Sequence, residues 1–156
     1  MTRYLLALVA VLNGAMLPAA PLSADQVRVG EIAIEKPWAR ASIGTSRPAV
    51  AYFTVRNLGS EPDRLMSVTS PASGMAEIHA TTQENGVMRM RPAGPQDLPP
   101  GGRLILEPGG LHLMLMQLSE PLVKGRTVAL ELKFELAGTV TVDTPIVGPG
   151  ETRSSH

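Results

Sequence analysis

The sequence predicts an all-β sandwich of Greek-key type with about nine short strands, and three observations point to it. Fifteen Gly and fourteen Pro are spread without a period over 156 residues, which favours short strands and tight turns over long helices. Turn signals recur about every eight to twelve residues. The most regular segment, Leu111 to Leu118 (LHLMLMQL), alternates with the period of a strand. One Trp, two Tyr and two Phe leave Val, Leu, Ile and Met to fill the core.

The length suits one domain with one core. Arg3 followed by the apolar run Tyr4 to Leu12 has the make-up of a secretory signal, too short to span a bilayer, and Leu22-Ser23-Ala24 offers a cleavage site. Residues 1–24 are therefore expected to be a signal peptide, 25–147 the folded domain and 148–156 a flexible tail.

Within the domain, Val27, Val29, Ile32 and Ile34 form an alternation interrupted at Gly30, which marks a bulge or turn. Trp38, in the run PWAR, is expected to plug the core at one end of the sandwich. Ser42 to Arg47 is a polar loop. Ala49 to Arg56 is rich in strand formers and stops at Asn57-Leu58-Gly59. Asp63 to Thr69 is a short strand with Met66 expected inside. Met75 to Thr82 and Val87 to Arg91 form a hairpin through Glu84-Asn85-Gly86. Pro92 to Gly102 holds four Pro and three Gly and is expected to be loop. Arg103 to Leu106 is a short strand, and Pro108-Gly109-Gly110 turns the chain into Leu111 to Leu118. Val128 to Leu136 is a half-buried strand with Glu131 and Lys133 outward, and Gly138 to Val142 closes the system.

Fourteen Lys and Arg balance fourteen Asp and Glu, so there is no basic field for nucleic acid and no acidic tail. The absence of cysteine excludes disulfide staples, thiol–disulfide exchange, a Cys nucleophile and a blue-copper His/Cys centre. No Gly-x-Ser-x-Gly elbow and no His-Glu-x-x-His run is present, so hydrolase chemistry has no anchor.

Chemistry gathers instead between Met75 and Met116, which hold two of the three His and five of the eight Met. In Leu111 to Leu118 the leucines take one face, and His112, Met114 and Met116 take the face that normally carries Thr, Lys, Glu or Ser. His79 and Met90 lie on the proposed hairpin. A single Met in a strand is most often packing, and a single His most often a hydrogen-bonded surface residue; it is their coincidence that matters. Imidazole and thioether without thiolate suit a soft univalent ion, above all Cu(I), and thioethers survive in an oxidising compartment. Carboxylates for a hard ion are sparse, Glu77 and Glu84 being the nearest. Met75, Met88 and Met116 are left as an oxidisable rim or substitute ligands.

The spacing His79-x10-Met90-x21-His112-x-Met114, with the segments EIHATT, GVMRMR, PGGLHLMLMQL and LKFELAG, resembles the periplasmic copper chaperone family PCuAC over about Ile32 to Val147. The resemblance implies a cupredoxin-like β-sandwich with a solvent-exposed Cu(I) site at His79, Met90, His112 and Met114. It implies a periplasmic protein that is not an enzyme and that carries copper towards the apo CuA domain of cytochrome c oxidase subunit II, alongside a Sco-type copper protein. Copper storage or buffering, or a β-sandwich protein-binding module without metal transfer, are the alternatives. No nucleic acid and no stable membrane insertion after signal cleavage are expected. Some members place Met directly after the first His, where this chain has Ala80. Some carry a His- and Met-rich C-terminal extension that takes Cu(II); here the tail GETRSSH offers only His156.

Overall fold

The computed structural model describes residues 26–153. The expected signal peptide and His156 lie outside them. The described residues form eleven strands: β1 (Gln26–Val29), β2 (Ile32–Arg40), β3 (Ala49–Asn57), β4 (Asp63–Thr69), β5 (Ser73–Glu84), β6 (Val87–Pro92), β7 (Gln96–Leu98), β8 (Arg103–Leu106), β9 (Leu111–Leu118), β10 (Thr127–Phe134) and β11 (Thr139–Val147). No helix occurs among the described residues. The all-β sandwich is as the sequence predicts.

The first layer runs β6-β5-β9-β3-β2, with β1 paired to β2 and β8 to β3; the second runs β11-β10-β4-β7. The layers meet where Ile146 and Val147 at the end of β11 pair in parallel with Ala39 and Arg40 of β2. Between the layers lies one apolar core that includes Ile34, Phe53, Val55, Leu65, Leu113, Leu115, Leu130, Leu132 and Phe134. Each fully buried Leu or Phe contributes roughly 1.5–3 kcal/mol. Ala49 and Ala51 of β3 face Leu115 and Leu113 of β9, so small residues make room for large ones across the pair. Glu131 and Lys133 point outward, as the alternation requires.

Two left-handed residues change which face the chain presents. Lys36 (φ 51°) sits where the β2–β3 register shifts between Glu35 and Trp38. Ile32 and Ile34 belong to the core, but after the bulge it is Ala39 that does so. Trp38 is thereby turned to the outer side of the layer. It is buried there against Tyr52, ring centroids 4.4 Å apart, with the Arg40 guanidinium 5.8 Å from its ring. The expectation of Trp38 as a plug of the main core is corrected accordingly. Tyr52 has its pKa raised by burial, which outweighs the opposing charge of Arg40. Gln117 (φ 54°) acts similarly in β9 and lets Leu118 rejoin the core after the outward run ends at Met116.

Three further expectations give way. Met66 is 38% exposed, because a register shift at Lys133/Phe134 opposite β4 leaves Leu65 and Val68 as its inward pair. The loop from Pro92 to Gly102 contains β7, which pairs with β4. Leu98 there is fully buried, and the Asn57 side chain donates to the Glu61 and Leu98 carbonyls at 2.7 and 3.0 Å. Burial of one Leu and these polar ties outweigh the local Pro/Gly signal. The last strand runs to Val147 rather than stopping at Val142, since it gains the β2 edge as a second partner.

Candidate metal centre

Register alone assembles most of the candidate site. In the antiparallel pair β5–β9, His79 lies opposite His112, Glu77 opposite Met114 and Met75 opposite Met116. Directly opposed residues share a face, so two imidazoles, a carboxylate and three thioethers stand in three successive rows on the outer side of the layer. The inner side of the same strands carries Ile78, Leu113 and Leu115. A slip of one residue would exchange the two sets and turn the imidazoles into the core between the layers. The leucines therefore hold the ligands in place.

The two rings have centroids 6.1 Å apart and are tilted by 46°. An ion about 2 Å from one nitrogen of each ring lies about 3 Å from each centroid, so the observed separation is at the upper limit for two rings to share one ion. His112 is 5% exposed and its Nδ1 lies 3.1 Å from the Gly110 carbonyl. A carbonyl only accepts, so this bond fixes Nδ1–H and frees Nε2 as a ligand. His79 is arranged the other way round: Nε2 lies 3.2 Å from Oε2 of Glu77, while Nδ1 is buried without any hydrogen-bond partner. A buried unpaired ring nitrogen is costly and would be satisfied by a bound ion. Metal-binding His commonly carries such an outer partner on its other nitrogen.

Met114 is partly buried, sits between Val50 of β3 and Glu77 of β5, and is one row from the imidazoles. Met90 is placed differently. It faces Thr81, one strand farther out and two residues farther along than His79, on the opposite side of the imidazole row from Met114. It is 62% exposed on β6, a strand exposed along its whole length at the end of the layer. The hairpin carrying it is as expected, with Asn85 (φ 51°) and Gly86 (φ 79°) at its turn. The structure thus brings together His79, His112 and Met114 and leaves Met90 as the diagonal neighbour of His79 on the exposed edge strand. Met88 is 60% exposed on the same edge, facing Gln83.

Sequence reasoning missed Glu77 as a neighbour of His79. The i, i+2 spacing of a strand was the available signal, since it sets both on one face. It also missed Tyr52 and Trp38, which continue the imidazole row across β3 and β2. No periodicity reveals that, because the bulge at Lys36 decides it. No group of three or more His, Cys, Asp or Glu side chains able to hold a metal occurs among the described residues; the further soft donors on this face are the thioethers of Met75, Met114 and Met116.

Comparison with known proteins agrees with the geometry. The family model described as "LpqE-like: Putative lipoprotein LpqE-like" matches residues 32–146. The chain is 34% identical over 116 residues to "Putative lipoprotein Lxx21020" of Leifsonia xyli subsp. xyli, covering 74% of this chain and 69% of that protein. Among solved structures, the copper-bound PCuAC domain from PmoF2 superposes with a TM-score of 0.67 at 32% identity, over 80% of this chain and 98% of that one. The Cu(I) form of DR1885 from Deinococcus radiodurans gives a TM-score of 0.58 at 28% identity, over 83% and 85%. The sandwich seen here is thus the cupredoxin-like fold of these domains, and the chain belongs to the LpqE-like family, which is the family of the PCuAC domains.

Proposed function

We propose that this protein is a periplasmic Cu(I) metallochaperone that carries copper as cargo and passes it to a cuproprotein, with the CuA domain of cytochrome c oxidase subunit II as recipient. The observation that carries the reading is the His79–His112 pair, opposed in register, with ring centroids 6.1 Å apart and the Nδ1 of His79 buried and unpaired. His79, His112 and Met114 hold the ion, and Met90, the diagonal neighbour of His79, completes an N₂S₂ set.

The copper-bound forms of the PmoF2 domain and of DR1885 support the choice of metal, and the likeness to a putative lipoprotein supports a place outside the cytoplasm, consistent with residues 1–24 as an export signal. Neutral imidazole and thioether select Cu(I) without the tight grip of thiolate, which suits a carrier that must release its load. The reading is of a carrier rather than an enzyme, because the face offers ligands but no nucleophile paired with a base.

The test is anaerobic Cu(I) titration of the mature chain against a competing chelator, followed by mixing with an apo CuA domain. One equivalent bound and then transferred is the expected result. Binding without transfer would replace delivery by storage or buffering, and absence of binding would overturn the reading altogether.

A further inference from the structure

The outward face of β5 and β9 continues past the imidazoles in a way that a single N₂S₂ site does not use. Met75 and Met116 are directly opposed. Met114 lies two residues from Met116 on the same face, diagonal to Met75. Opposed side chains in a pair have Cβ atoms about 4.5–5.5 Å apart and their diagonal neighbours about 7–8 Å. Unbranched Met, with three rotatable bonds, closes such gaps readily. The three residues are not part of the core cluster; Met75 is 42% exposed and Met114 and Met116 are half-buried. A Met in a core fills a gap between layers, whereas these three stand on the side of the sheet away from the second layer.

We propose that Met75, Met114 and Met116 form a second Cu(I) site, made of thioethers alone and adjoining the imidazole pair. Three sulfurs around one ion at about 2.3 Å lie within about 4 Å of one another, a spacing this patch reaches by rotamer changes without moving a strand. Met114 belongs to both ligand sets. An ion held by His79, His112 and Met114 therefore exchanges its two nitrogen ligands for the sulfurs of Met75 and Met116 while Met114 stays bound. The oxidation state is unchanged and no proton is needed, since thioether carries none. Such a site takes soft univalent ions, Cu(I) and Ag(I), and rejects divalent ions that favour nitrogen and oxygen.

This proposal rests on the imidazole pair being the first copper site, and the experiment separates the two. The chain, labelled with ¹³C at the Met ε-methyl groups and ¹⁵N in the His rings, is titrated anaerobically with Cu(I) past one equivalent and, in parallel, with Ag(I). The ring nitrogens of His79 and His112 and the methyl signal of Met114 are expected to respond within the first equivalent, and the methyl signals of Met75 and Met116 to shift together beyond it. Met66, on β4 of the other layer, serves as the unshifted reference. In Met75→Leu/Met116→Leu the second phase is expected to vanish while the first persists with at most a twofold change in affinity. Shifted rings with unmoved Met75 and Met116 would overturn the thioether site alone. Shifted methyls with unmoved rings would overturn the first-site assignment, and with it the exchange between the sites.

Discussion

The imidazole half and the Met90 half of the centre are built on different terms. His79 and His112 stand on interior strands of the layer, opposed in register, each with one nitrogen engaged by a fixed partner, Glu77 or the Gly110 carbonyl. Met90 stands on an edge strand with neighbours on one side only and is largely in solvent. In the proposed copper site the buried, hydrogen-bonded half would set where the ion sits, and the exposed half would set how easily it leaves. Preorganised ligands cost little to assemble on binding, while an exposed thioether is the ligand an incoming partner displaces first.

Breaking the imidazole half has the largest expected effect. His112→Ala removes a proposed ligand and leaves the Gly110 carbonyl with only the Thr81 N–H at 3.4 Å; Cu(I) affinity by anaerobic chelator competition is expected to fall by about 100-fold or more, roughly 2.7 kcal/mol. An intact far-UV spectrum separates this from unfolding. Glu77→Ala leaves both rings in place but frees His79 to choose its tautomer. A loss of about tenfold is expected, in the range for outer partners of metal-bound His, whereas Glu77→Gln keeps an acceptor for the Nε2–H and is expected to lose less. If Gln proved as damaging as Ala, the carboxylate would be acting through its charge or as a ligand. Met90→Leu has the smallest effect on affinity, about threefold to tenfold, with apo stability within about 0.5 kcal/mol because the residue is exposed. Stopped-flow transfer to the chelator is expected to speed up. Should Met90→Leu cost as much as His112→Ala, the two halves would be equals in the bound state.

How far the sequence revealed this depends on whether the signal was local. The alternation in Leu111 to Leu118 gave both the buried leucines and the outward ligands of β9, and Asn85-Gly86 gave the hairpin. Both rest on neighbours in sequence. The pairing of His79 with His112 rests on which strands adjoin, and nothing within either strand encodes that. Glu77 was visible as a residue but not as a partner, since its role appears only when the His79 ring has a direction. Met66 and Trp38 misled for one reason: each lies beside a bulge, and a bulge reverses the face that alternation assigns. Gln96 to Leu98 misled because Pro and Gly speak for loops while the demand for burial at Leu98 is set by the other strands.

Gln117 has a consequence for how such a centre changes over time. A strand is read in two frames, one inward and one outward, and the left-handed turn at Gln117 shifts the frame, as Lys36 does on the far side of the layer. Between His112 and Met116 the outward frame is insulated: its letters can be rewritten while Leu113, Leu115 and Leu118 continue to spell the core. Substitutions at Met114 and Met116 would therefore change the proposed metal site while leaving the inward leucines of the strand in place.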